Sequence, residues 1–163
     1  MDCKVIDNFL PQDIFNNIQQ LLISDKFGWF YCNAVGNPLD DEDDYYIHHF
    51  YEDGKIQSLY FEKVMIPILC RLSFSTNNLD RARANMYTKK EERFIHDFHN
   101  DSDDKHVVGL FSLNTNNGFT MFDDGRRFKS IANRMLIFDG SQRHCSVTQT
   151  DTNIRYNINI NFI

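Results

Sequence analysis

Cysteine is scarce in this chain: Cys3, Cys32, Cys70 and Cys145 are the only four among 163 residues. They are widely spread and form no C-x-x-C, which leaves a zinc knuckle or a thioredoxin-like redox motif without support. By number alone, two disulfides could still form. Met1-Asp2-Cys3-Lys4 leads into polar sequence without an apolar core, so no secretory signal is read there. No apolar run is long enough to span a membrane. A soluble, reduced, cytoplasmic protein is the expectation. Basic residues are also in deficit, with 17 Lys and Arg against 23 Asp and Glu, a net charge of -6. No basic stripe appears, which argues against a nucleic-acid backbone as the main partner. Internal repeats, low-complexity tracts and linkers are missing too. One domain spanning residues 1–163 is expected, of a size that supports a real core.

What is present is ordinary globular composition, 42% hydrophobic and 25% charged. Fifteen phenylalanines point to a Phe-rich core. Val5 to Leu10 reads as a short strand or extended lead-in. Pro11 and Asp13 suit the first turn of a helix, and Ile14, Phe15, Ile18, Leu21 and Leu22 recur at helical spacing. Lys26 to Cys32 and Tyr45 to Tyr51 read as strands. Ala34 to Asp44 reads as loop, its acidic run Asp40 to Asp44 as a solvated face. His48 and His49 are adjacent, so on a strand they face opposite ways and chelate poorly. Ser58 to Ser73 reads as a second helix, with a kink or break possible at Pro67.

From Arg81 the character changes to short strands with turn punctuation. Candidates are Ala82–Tyr87, Phe94–Asp101, His106–Leu113, Phe119–Phe122, Phe128–Ile131, Arg134–Phe138, Arg143–Thr148 and Ile154–Phe162. Regular short strands of this kind mean a sandwich or barrel. Residues 1–80 would supply helical support and rim loops, and residues 81–163 the β core.

Chemistry concentrates in Arg93 to Asp101, RFIHDFHND. On a strand, residues two apart point to one face. His99 and Asp101 would then project into one space, as two ligands of one metal should. Asp97 shares that face and competes as a ligand; its bland reading is a polar rim residue. His96 falls on the opposite, packing face. Further on, His144 begins the penultimate strand. In the last strand Arg155, Asn157, Asn159 and Asn161 share one face, either facing solvent or lining a polar cavity. His106 is read as a surface residue, and Cys145 as packed rather than reactive. Two histidines and one carboxylate leave adjacent positions open on a metal, as non-haem Fe(II) oxygenases need. Arginine grips an anionic cosubstrate well through its planar guanidinium.

Here the chain resembles the Fe(II)- and 2-oxoglutarate-dependent dioxygenases, in their prolyl 4-hydroxylase-like branch. The resemblance rests on His99-x-Asp101, then His144, then Arg155. Leu110 to Asn114, Asn117 to Phe122 and Ala132 to Phe138 resemble intervening segments of that branch, and Val5 to Leu10 resembles its N-terminal segment. It implies a mainly β protein with N-terminal helices, built on a double-stranded β-helix, the cupin-like jelly-roll barrel. It implies His99, Asp101 and His144 as Fe(II) ligands and Arg155 as the partner of the distal carboxylate of 2-oxoglutarate. Tyr87 and Thr120 would contact the cosubstrate. Ser112 stands where the branch often has Tyr. The implied activity is hydroxylation, using O₂ and 2-oxoglutarate, with ascorbate as a supporting reductant. The substrate would be a peptide, such as peptidyl proline, or a small molecule. The rival readings are a non-catalytic jelly-roll binding module with a vestigial metal site, and hydrolytic zinc chemistry on the same three ligands. Nucleic-acid demethylation is opposed by the acidic balance.

Overall fold

The last strand, β11 (Ile154–Phe162), organises the architecture. The computed structural model describes residues 3–32, 45–101 and 105–163. In chain order the other elements are β1 (Lys4–Ile6), α1 (Gln12–Leu22), β2 (Phe30–Cys32), β3 (Tyr45–Glu52), β4 (Lys55–Ile56) and α2 (Phe61–Leu72). Then follow β5 (Leu79–Thr88), β6 (Val107–Ser112), β7 (Phe119–Phe122), β8 (Arg127–Lys129), β9 (Arg134–Asp139) and β10 (His144–Val147). β11 lies between β6 and β5 in a large antiparallel sheet ordered β1-β9-β6-β11-β5-β3-β2, with β4 beside β3. A second sheet has the order β10-β7-β8.

Alternation in β11 decides what each face does. Ile158, Ile160 and Phe162 point to one side, where they join Ala82, Ala84 and Phe111 in the main core. That side is closed by the helices. α1 contributes Phe15, Ile18 and Leu22, and α2 contributes Phe61, Val64, Met65, Ile68 and Leu69. Both helices bury one apolar stripe, the expected arrangement for an amphipathic helix on a sheet. α2 runs through Pro67 without a break and ends at Ser73, whose φ of 60° is left-handed. The opposite side of β11 carries Arg155, Asn157, Asn159 and Asn161, all buried. Of the two readings left open for this row, the structure selects the polar interior.

Five expectations about the fold need correction. The two sheets remain separate, and no closed barrel forms among the described residues. Phe94 to Asp101 is not a regular strand. It runs beside β10 through isolated bridges, Ile95 to Val147 and His99 to His144. The physical cause is local: the imidazole Nδ1 of His99 bonds the carbonyl of Asp97 at 3.1 Å, and such side-chain bonds compete with a ladder. Face alternation breaks as a result, since Ile95 and Asp97 are exposed while the Asp101 side chain is buried. Third, His106 is buried, not a surface residue; its carbonyl accepts from Gly140 N at 2.9 Å. The strand expected over Lys26 to Cys32 is confined to β2. Ser58 does not begin α2; it sits against His48 Nε2 at 2.7 Å and accepts from Tyr60 N. The loop expected over 34–44 lies outside the described residues, and among the described residues no helix is long and apolar enough to cross a membrane.

Candidate metal centre

A cavity of about 320 Å³ opens between the two sheets. The large sheet contributes residues of β5, β6 and β11, and the small sheet contributes Thr120, His144, Cys145 and Ser146. At one end His99, Asp101 and His144 converge, with one ligand atom from each lying within 4.8 Å of the others. Backbone geometry brings two of them together. His99 N donates to His144 O at 2.9 Å, and His144 N returns a bond to His99 O at 3.0 Å.

Each imidazole is also oriented. His99 Nδ1 meets the Asp97 carbonyl at 3.1 Å, and His144 Nδ1 meets the Gln142 carbonyl at 3.0 Å. A carbonyl only accepts, so each Nδ1 carries the proton and each Nε2 presents a lone pair. The Nε2 of His99 lies 3.9 Å from Asp101 Oδ1. Asp101 Oδ2 accepts from Asn159 Nδ2 at 3.0 Å, and Arg81 approaches Oδ1 at 3.5 Å.

Protonation states follow from these surroundings. Burial pushes the Asp101 pKa up, but His144, the Asn159 hydrogen bond, Arg81 and His99 outweigh it and hold the carboxyl below its ordinary value. Burial pushes His144 below its ordinary value, against the attraction of Asp101. The set therefore offers two imidazole Nε2 donors and one carboxylate, the donor types that a divalent cation takes. Asp97, the competing carboxylate, is exposed, and only its backbone oxygen takes part.

Arg155 stands four residues from Asn159 along β11, about 13 Å at the usual strand rise. It is 2% exposed. Its Nη1 donates to Ser146 Oγ at 2.9 Å and to the Val147 carbonyl at 3.0 Å. Its guanidinium carbon lies 5.6 Å from the centre of the Tyr87 ring, which stacks on Tyr45 at 5.3 Å. Its buried Nε has no hydrogen-bond partner among the described residues. Among the described residues no carboxylate pairs with this cation. Burial lowers its pKa, yet arginine starts so high that it stays charged. A buried cation without a counter-charge is costly, and a guanidinium so placed can accept an anion.

Gly118 lets this arginine pass. A Cβ there would lie 2.9 Å from Asn116 Oδ1, 3.0 Å from the Val147 carbonyl and 3.3 Å from Arg155 Cδ. Gly118→Ala is expected to destabilise the fold by about 1–3 kcal/mol through overpacking. The check is a lower denaturant midpoint at unchanged slope.

Of the residues singled out in the sequence, His99, Asp101, His144, Arg155, Tyr87 and Thr120 all line this cavity. Ser112 does not; it lies across from Asn157 on β6, two pairs beyond Leu110, the β6 residue that does line the cavity. Cys145 lines the cavity but is packed with Phe119 and Val147, and burial raises its pKa to about 11. His96 is buried beside the Phe94 ring. Sequence reasoning missed Arg81, Arg83 and Asn85. Their signal was parity with Tyr87 on β5, which places all four on one face.

No protein-family profile matches the sequence, and no curated protein is detectably similar to it. Solved structures do resemble it. A 2-oxoglutarate-Fe(II) oxygenase family oxidoreductase from Burkholderia pseudomallei superposes with a TM-score of 0.72 at 13% identity, over 98% of this chain and 84% of its own. A Pseudomonas putida prolyl-4-hydroxylase gives 0.61 at 13% identity, over 98% and 91% of the two chains. A Trichoplax adhaerens prolyl hydroxylase, solved with a hypoxia inducible factor peptide fragment, gives 0.61 at 15% identity, over 99% and 83%. The chain thus has the fold of the 2-oxoglutarate-Fe(II) oxygenases, prolyl hydroxylases among them.

Proposed function

We propose that this protein is an Fe(II)- and 2-oxoglutarate-dependent oxygenase that hydroxylates its substrate. One observation carries the reading. A two-histidine, one-carboxylate cluster shares a cavity with a buried arginine that no described carboxylate neutralises. His99, Asp101 and His144 would hold Fe(II), and Arg155 would hold the distal carboxylate of 2-oxoglutarate. When bound, iron supplies the redox chemistry that turns 2-oxoglutarate, O₂ and a C–H bond into succinate, CO₂ and an alcohol.

The chain's own residues do the positioning. Asn159 and Arg81 fix the Asp101 carboxylate, and the backbone carbonyls of Asp97 and Gln142 fix the two rings. Ser146 and Val147 lock the plane of the Arg155 guanidinium. Nε then faces no competitor for a carboxylate oxygen, so a charge-assisted bond forms without displacing a protein partner. Tyr87 walls the guanidinium on one side, and the Thr120 hydroxyl lines the same cavity. Zinc hydrolysis would use the same three ligands but leaves Arg155 without a role. The Trichoplax hydroxylase carries a peptide in its structure, which favours a peptide, peptidyl proline included, over other substrates in this reading.

The direct test is succinate formation from 2-oxoglutarate by the purified protein with Fe(II) and ascorbate. Metal-dependent release of succinate and CO₂ in equal amounts is expected. A protein that binds the metal but releases no succinate would be the vestigial binding module instead.

A further inference from the structure

Charge in the cavity has the opposite sign to charge on the chain. The protein carries a net -6. Yet the described residues lining the cavity include three guanidiniums, Arg81, Arg83 and Arg155, and one carboxylate, Asp101. Counting these four groups, the lining holds a surplus of two positive charges. Loading the site as proposed above does not remove it. A divalent metal and a dianionic cosubstrate cancel each other, so the surplus remains for whatever binds next.

Two of the arginines already have positions. Arg81 approaches Asp101 Oδ1 at 3.5 Å. Arg155 is buried, held by Ser146 and Val147. Arg83 is the third. It is half-buried on β5, its guanidinium carbon 5.8 Å from the centre of the Tyr45 ring. Among the described residues its buried Nε has no hydrogen-bond partner and no carboxylate pairs with it. In the β5–β11 register Arg83 stands opposite Asn159, the residue that holds Asp101, while Arg155 stands opposite Tyr87. Arg83 is therefore level with the candidate metal ligands, and Arg155 is four residue pairs further along.

We infer that Arg83 is a specificity-determining residue that holds an anionic group, a carboxylate or a phosphate, on the substrate beside the metal. The inference rests on the oxygenase reading for the word substrate. The anion site itself stands on geometry and charge. Guanidinium suits both oxyanions because its paired N–H groups match two oxygens at once. The Tyr45 face beneath it limits where the cation swings, which favours one approach direction.

The test compares anions with neutral isosteres. Binding of inorganic phosphate, and of a panel of monocarboxylic acids each paired with its amide, is measured by calorimetry on the metal-free protein. The same acids and amides are then added to the Fe(II)-loaded protein, and succinate release is followed. Acids are expected to bind at least about tenfold tighter than their amides and to stimulate release at lower concentration. Arg83→Gln should erase that preference, and Arg83→Lys should restore part of it, with circular dichroism confirming the fold of each. A stronger response to phosphate than to carboxylates would identify the phosphate form of the anion. Equal binding of acids and amides, or a preference that survives Arg83→Gln, overturns the inference. Failure of the oxygenase reading appears separately, as wild-type protein that makes no succinate while the binding comparison still reads the site.

Discussion

Asp101→Ala is expected to abolish Fe(II)-dependent succinate formation, with a fall of about 10³-fold or more and the fold retained. The size follows from what is lost. One of three candidate ligands disappears, and with it the only carboxylate lining the cavity among the described residues. Asn159 Nδ2 and Arg81 then face the vacated space, so the cluster becomes more positive where a cation should bind. The fold should survive because the main core lies on the other face of the sheet, under the two helices. Calorimetric titration of the metal and a circular dichroism spectrum separate the two effects. Asp97→Ala is the matched control: its side chain is exposed, and only its backbone oxygen touches His99. Turnover unchanged in Asp101→Ala but lost in Asp97→Ala would reverse the ligand assignment.

Arg155→Gln should raise the KM for 2-oxoglutarate by about 100-fold, roughly the worth of a strong charge-assisted pair. The same change should leave the thermal stability of the free protein unharmed, or raise it. The reason is that the wild-type cation is buried without a described counter-charge, and such charges burden the folded state. A ligand that supplies the missing charge reverses this. Adding 2-oxoglutarate with metal should raise the melting temperature of the wild type and not of the variant. A variant that loses stability and keeps its KM would mean that Arg155 is a structural cross-strut to Ser146 and Val147 and nothing more.

How far the sequence could be read depended on how regular each segment is. Strands β7 and β11 matched their expected limits, and in Ile154–Phe162 the alternation of apolar and polar residues is unbroken. Alternation in β11 also assembled the polar row that includes Arg155 and Asn159. The irregular stretch from Phe94 to Asp101 resisted the same logic. A period-two reading put Asp97 beside His99, whereas the segment meets β10 only through isolated bridges and an imidazole-to-carbonyl bond takes up the Asp97 carbonyl. Burial at His106 was equally hidden, since it depends on the absence of a side chain at Gly140, far along the chain. The triad was legible because H-x-D places two donors close in sequence, with His144 and Arg155 in the expected order after it. The support around it was not, because Arg81 and Asn159 meet Asp101 across strands distant in sequence.

The bond pair that joins His99 to His144 has a mechanical consequence. The stretch from Lys89 to Asp101 has no strand of its own. It is pinned by a few backbone contacts: Lys89 N to Asn153 O at 2.8 Å, His96 N to Ser146 O at 3.1 Å, Thr148 N to Phe94 O at 3.0 Å, and the two bonds between the histidines. Two of the three candidate ligands ride on this stretch, and the third is on β10, to which it is pinned. On the ligand assignment proposed above, a bound cation acts as a rivet across that seam. Opening the seam would then require releasing the ion, so amide exchange along residues 94–101 slows as metal is added, while the helix-covered sheet keeps its own rate.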